Sequence, residues 1–319
     1  FKAVAYSDVL QGVLMFSGLL MLPIVGVSAA GGFSQLIEQL HSVDPNLLEP
    51  MGELGFSVAG VLSAVSFMGI GLAFLGAPQL LTRFISASGR TQIVNGSLLA
   101  VICIIVFDVG AVFAGMAGRS LFPGLDDPET ILPTMASELL PPVITGLFLV
   151  VVLAAIMSTV DSLLILVSSA VVRDVVQKTL RSNLSDSRLS LYGKLTTVVI
   201  GAGALVLALG EVRVVFWFVL FAWSGLACAF TPIVLCSLFW KRTTRAGAIV
   251  GMVSGFLTTV IWVLVFKAGF YDLYEMLPGF LVGFVTTIGV SLLTEPPAAA
   301  AEELEAMRAA VGHPFKGFP

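Results

Sequence analysis

The feature that most limits this chain is the length of its apolar runs. From Gly96 to Gly118 only Asp108 carries a charge, and from Val143 to Ala170 only Asp161 does. A helix needs about 20 residues to cross the hydrocarbon core of a bilayer, and these runs meet that length. They are helical rather than barrel strands, because a strand of a transmembrane barrel is a ten-residue alternation. Of the 319 residues, 57% are hydrophobic and 11% charged, against roughly 25% charged in soluble domains. With a mean hydropathy of +1.03, the chain reads as an all-α polytopic membrane protein and not a water-soluble globule.

Apolar windows predict eight spans, roughly 8–30, 57–82, 96–118, 143–170, 190–209, 214–239, 245–267 and 277–294. The organisation that follows is a transmembrane domain over 1–294 and a cytoplasmic tail over 295–319. Orientation comes from the placement of Lys and Arg. Arg83, Arg90, Arg173, Lys178, Arg181, Arg188, Lys194, Lys241, Arg242 and Arg245 fall in alternate loops, joined by Lys2, Arg308 and Lys316. The opposite side holds Arg119, Arg213 and Lys267 beside many acids, Glu275 among them. This bias predicts both ends in the cytoplasm. Trp240, directly before Lys241, reads as an interfacial anchor, and the tail after Glu295 as a short solvated helix. The opening at Phe1, without a cleavable signal pattern, reads as a fragment of a longer protein.

The rare polar groups carry the functional signal. Cys103, Cys228 and Cys236 lie in apolar segments and read as packing residues, and the two histidines, His41 and His313, lie outside the spans. A membrane-embedded enzyme would need convergent acid, base or metal groups. Asp8, Asp108 and Asp161 sit on three separate helices without a histidine, so no enzyme is expected. An Asp at a helix centre costs about 2.5 to 3.5 kcal/mol on insertion scales, so each needs a reason. Asp8 is either a solvated helix start or part of an ion path, and Asp108 reads as a structural hydrogen-bonding group.

Asp161 belongs to the richest polar cluster, with Ser158, Thr159 and Ser162. Positions 155, 158, 159 and 162 share one helical face, which sets hydroxyls beside the small Ala155. Such a face serves either helix packing or a weakly bound hard cation, since uncharged oxygens suit sodium better than calcium. The second span carries Gly69, Gly71, Gly76 and Pro78, so a regular helix is not expected there. Broken helices at membrane depth line cavities in transporters, whereas a simple kink is the alternative.

Four separated segments then resemble one family. Residues 154–162, AAIMSTVDS, with Ser168, Ser169, Arg173 and Asp174, are similar to the sodium-site helix of the sodium/solute symporter family. GLAFLGAPQLLTR at 71–83 is similar to its substrate helix, WKRTTRAGAIVG at 240–251 to a late cytoplasmic signature, and YSDVLQ at 6–11 to an aromatic-x-Asp-x-x-Gln segment. Residues 221–225 and 273–280 are similar to the last helices of the sodium/proline symporters within it.

The resemblance implies a partial LeuT-type inverted-repeat fold: the last helix of the first repeat, the whole second repeat and two extra C-terminal helices, with five preceding helices missing. It implies that the Ala155 carbonyl and the Ser158 and Thr159 hydroxyls bind sodium, that Asp8 and Asp161 serve the ion path or support the ligands, and that Ile70, Phe74 and Pro78 contact the solute. Ile70 stands where a tryptophan is expected and Phe74 where a tyrosine is.

The function expected is sodium-coupled symport of a small organic solute by alternating access, with proline or a related amino acid as substrate and another small carboxylate as the alternative. Sodium is carried rather than retained. The lipid bilayer, the solute and the missing helices are the partners, nucleic acid is not, and the location is the plasma membrane. A transporter-like sensor or scaffold without uptake is the rival reading.

Overall fold

A computed structural model describes residues 2–180, 184–210, 215–270 and 273–311. Arg181, Arg213, His313 and Lys316, used in the sequence reading, lie outside them, as does the end of the tail. Eight helices among the described residues are long and apolar enough to cross a membrane, and they coincide with the eight predicted windows.

The chain divides into two compact units, Phe1–Glu49 with Ser86–Arg213 and Pro50–Ile85 with Val214–Pro319. In the first, α1 (Lys2–Ala29) packs along α6 (Arg90–Leu121) and α8 (Pro142–Ser169). Two short helices that the sequence reading did not foresee, α2 (Phe33–Val43) and α7 (Ile131–Leu139), close one end. Their Leu36, Leu40 and Met135 join Leu22, Ala117 and Phe148 in a buried core. Glycines permit the close approach: a Cβ on Gly18 would lie 2.6 Å from Val151, and one on Gly26 2.6 Å from Met135. Beyond Ser169, π-type turns carry the α8 helix on to Thr179, further than the predicted 170, so that Lys178 pairs with Asp174 at 2.8 Å on the helix surface. α9 (Asp186–Ala208) is tied to α8 where the Ser168 hydroxyl donates to the Gly193 carbonyl at 2.8 Å.

The second unit begins with the irregular span. α3 (Val58–Met68) tightens into a 3-10 turn over Gly69–Leu72, and α4 (Ala73–Gly76) stops at an extended Ala77 (φ −61°, ψ 116°). α5 (Pro78–Ile85) then restarts the helix. Around it stand α10 (Val215–Phe239), α11 (Arg245–Ile261), α12 (Met276–Leu293) and α13 (Ala300–Val311). α11 and α12 meet through small residues four apart: Gly247 and Gly251 of α11 face Ser291 and Thr287 of α12, a spacing that lets backbones approach closely in lipid. Pro232 on α10 has no N–H for the Cys228 carbonyl. A Cβ on Gly255 would fall 2.2 Å from that oxygen.

Glu275 keeps its predicted place in a loop but is not solvated: it is 1% exposed and pairs with Lys267 at 2.9 Å, while the Lys267 ammonium stands 5.0 Å from the Trp217 ring centroid. Beside it Tyr274, fully buried, donates its hydroxyl to the Leu220 carbonyl at 3.0 Å and its N–H to Ser66 at 3.2 Å. Loss of hydration holds its phenol above the ordinary value. The tail helix α13 is not wholly solvated either, because Leu304 is buried.

Candidate functional site

The cation residues predicted from sequence all lie on α8, in the first unit. The Ser158 hydroxyl donates to the Ala155 carbonyl at 2.9 Å, and the Thr159 hydroxyl reaches the same oxygen at 3.4 Å. Three uncharged oxygens therefore gather within one helical turn. Each hydroxyl satisfies its donor on the helix, which leaves lone pairs to face outward. Ser162 repeats the pattern, donating to the Ser158 carbonyl at 2.9 Å. Ala155 and Ser158 are half-buried and Thr159 is exposed. No group of three or more His, Cys, Asp or Glu side chains with metal-binding placement occurs among the described residues. This donor set suits a monovalent hard cation and offers too little charge for a divalent one.

The seam between α1 and α8 extends this face. On α1 the residues turned inward are Leu22, Gly18 and Gln11; on α8 they include Phe148, Val151 and Ala154, with Ala155, Ser158 and Ser162 half-buried. Gly18 meets Val151, while Gly26 meets Met135 on α7, just before α8 in the chain, so the two helices run antiparallel. Seven residues are two turns. Two turns from that contact, α1 carries the buried Gln11 and α8 the half-buried Ser158.

Asp8, on α1, is half-buried, with its Oδ1 buried. Asp161 is half-buried, one turn beyond Ser158. Asp108 is exposed on α6, and its side chain makes no hydrogen bond among the described residues, so the structural hydrogen bond expected for it is not formed there.

The predicted solute residues all belong to the second unit. Phe74 is 44% exposed and meets Trp223 of α10 edge to face, with ring centroids 5.4 Å apart. Ile70 is half-buried, packed toward the cluster of Ala73, Leu220, Ala227 and Cys228. Pro78 opens α5 and offers no N–H to the Phe74 carbonyl. The break is held from α10: the Thr231 hydroxyl donates to the Leu72 carbonyl at 2.9 Å, and a Cβ on Gly76 would fall 2.4 Å from the Thr231 nitrogen. Just past the break, Gln79 Oε1 is buried without a hydrogen-bond partner.

Sequence reasoning did not single out Trp223 and Thr231, which meet the broken span from α10, nor the buried amide oxygens of Gln11 and Gln79. The Thr231-Pro232 pair and the position of Gln11 in the YSDVLQ segment were the available signals.

Comparison with known proteins follows the same lines. The family model described as the sodium:solute symporter family matches residues 1–255. A high-affinity proline transporter of Bacillus subtilis is 36% identical over 305 residues, covering 94% of this chain and 63% of the relative. An osmoregulated proline transporter of the same organism is 33% identical over 308 residues, covering 95% and 62%. A sodium/proline symporter of Salmonella typhimurium is 33% identical over 311 residues, covering 95% and 60%. The chain thus spans about three fifths of the length of these relatives. With eight apolar helices among its described residues, an uncharged oxygen face on one and a glycine-proline break in another, the chain belongs to the sodium:solute symporter family.

Proposed function

We propose that this protein is a sodium-coupled symporter of a small organic solute, proline or a related amino acid, working by alternating access in the plasma membrane with both ends of this chain cytoplasmic. The observation that carries the reading is the gathering of the Ala155, Ser158 and Thr159 oxygens within one turn of α8. Sodium is cargo there, held by neutral oxygens that release it readily.

The solute reading rests on the broken span. An interrupted helix exposes backbone acceptors on one side of the break and starts a new helix on the other, which is how transporters meet the two ends of a small zwitterion. Phe74 supplies an aromatic face for an aliphatic ring, and the names of the relatives support proline as the first substrate to try. The inverted-repeat arrangement belongs to this proposal, with α1 as the last helix of the first repeat and the second span to α10 as the second.

Energetically the scheme is sufficient. One sodium moving inward gains about 2.3 kcal/mol per 100 mV, before its concentration term, and 1.4 kcal/mol corresponds to a tenfold solute gradient. Coupling requires only that sodium bind one conformation more tightly than the other. The test is uptake of radiolabelled proline into proteoliposomes holding the full-length gene product. Accumulation in sodium and its loss in choline is the expected result; equal accumulation in both refutes the proposal.

A further inference from the structure

Asp108 has no part in the cation or solute reading, yet it stands at membrane depth. Arg90 and Arg119 bracket α6, and the helix between them is about 43 Å long, close to the thickness of a bilayer with its headgroups. Asp108 lies about 5 Å from the middle of that length, too deep for so short a side chain to reach the interface. An acid at such depth faces a polar partner or a wet cavity rather than lipid.

The contacts of α6 with α1 and α7 occupy a different stripe of the helix. A Cβ on Gly110 would touch Pro23 and Leu20 of α1, and one on Gly118 would meet Ile131 and Met135 of α7. Asp108 is turned away from that stripe, on a face with Ile104, Ile105, Ala111, Val112 and Gly115, all of them exposed. Among the described residues no donor reaches its carboxylate. Ala111 and Gly115 are four residues apart, and nothing stands within 4 Å of where a Gly115 Cβ would lie. A small pair at this spacing beside a polar group is what helices in lipid use to approach and to hydrogen-bond.

Lipid tails supply no donor for the acid and do not need the small pair. A second copy docked by the same face is no better, because a two-fold contact is self-complementary: it would bring a like acid and, from Ile104, Ile105, Ala111, Val112 and Gly115, no side-chain donor. A helix of different sequence that carries a donor fits both features, and this chain covers only 60% to 63% of the length of its matched relatives. We propose that the Asp108–Gly115 face of α6 seats a membrane-crossing helix from the part of the full-length protein outside residues 1–319. That helix approaches over Ala111 and Gly115 and donates a hydrogen bond from a basic, amide or hydroxyl side chain to the Asp108 carboxylate.

The experiment uses the full-length protein in membranes. Val112 lies one turn from Asp108 on the same face, and Val112→photoleucine places a light-activated diazirine there with little change of volume. After irradiation, mass spectrometry is expected to find it linked to a peptide of the same polypeptide from outside residues 1–319. A link to residues within 1–319, to a second copy, or to lipid alone overturns the proposal.

Stability gives a second readout with a sign of its own. Asp108→Leu should lower the thermal midpoint of the full-length protein by about 3 °C or more, because a buried donor loses its acceptor. Asp108→Asn, whose amide oxygen still accepts, should lose less. An acid facing lipid predicts the reverse, so a native or raised midpoint in Asp108→Leu overturns the proposal. Should Asp108→Leu fail to reach the membrane, Ala111→Leu decides: a lowered midpoint supports a helix seated on this face, and a native one overturns it. None of these readouts depends on the ion or solute carried, so failure of sodium symport leaves this inference standing, and its own failure leaves symport standing.

Discussion

Two spans of this protein present oxygen in the middle of an apolar sequence, and they do so by opposite means. α8 stays regular from Pro142 to Ser169 and offers side-chain hydroxyls on an intact ladder. The second span gives up its ladder at Ala77 and offers backbone. Proline alone does not explain the difference, because Pro23 and Pro232 lie inside continuous helices. What sets Pro78 apart is its setting: a 3-10 turn at Gly69–Leu72, a Gly76 seated on Thr231, and a hydrogen bond from Thr231 that takes up the Leu72 carbonyl. A break is stable where a neighbouring helix accepts the loosened backbone. In the proposed reading the regular helix serves an ion that needs only lone pairs, and the broken one a larger solute with two charged ends.

That comparison can be broken most forcefully at Gly76. A side chain there must displace the Thr231 backbone rather than a flexible tip, and overpacking of this kind costs about 1–3 kcal/mol or more. Gly76→Val is expected to abolish uptake and lower the thermal midpoint; retention of both would mean that α10 does not hold the break.

The next effect in size is at the Lys267–Glu275 pair, which anchors the loop carrying Tyr274 against α3 and α10. Removing one partner of a fully buried pair costs about 3–5 kcal/mol, and the partial exposure of Lys267 reduces that to about 2. Glu275→Gln should thus destabilise the protein, measured by thermal unfolding in detergent, and leave the sodium requirement of the surviving fraction native. A shifted sodium requirement would show that the two sites are not separable.

On α8 the prediction is reversed. Ser158→Ala with Thr159→Ala should leave thermal stability in choline nearly native, because the lost bonds return to the helix's own Ala155 carbonyl. The sodium concentration for half-maximal uptake should rise about tenfold, which corresponds to about 1.4 kcal/mol. Sodium titration of uptake checks it, and an unchanged midpoint would remove these oxygens from the cation site.

The smallest expected effect is at Phe74. Phe74→Leu keeps apolar bulk and loses the edge-to-face contact with Trp223, worth about 0.5–1.5 kcal/mol beyond area burial. Half-saturation for solute should rise roughly threefold at saturating sodium. An unaltered solute requirement would place Phe74 outside the solute site.

Much of this was legible residue by residue. Ala155, Ser158, Thr159 and Ser162 could be put on one face because helical periodicity needs no tertiary information. The irregularity of the second span was announced by its glycines and Pro78, although the exact stop at Gly76 was not. Glu275 shows the opposite case. It read as a loop acid because its partner Lys267 lies eight residues away, and the burial and pairing of the two belong to the tertiary structure. Leu304 was missed for the same reason: docking of α13 buries a residue whose local sequence is polar and helical. Asp108 was expected to find a partner and, among the described residues, has none.

The sequence by itself determined that this chain is a set of membrane-crossing helices, where each lies, and which turns of them carry oxygen, because hydrocarbon imposes length, polarity and period on every segment separately. The tertiary structure alone decided that Gly18 meets Val151, that Thr231 receives the backbone at Leu72, and that Glu275 is buried. These depend on register between helices, and register is set by which small residue lets which neighbour approach, a relation no single segment contains.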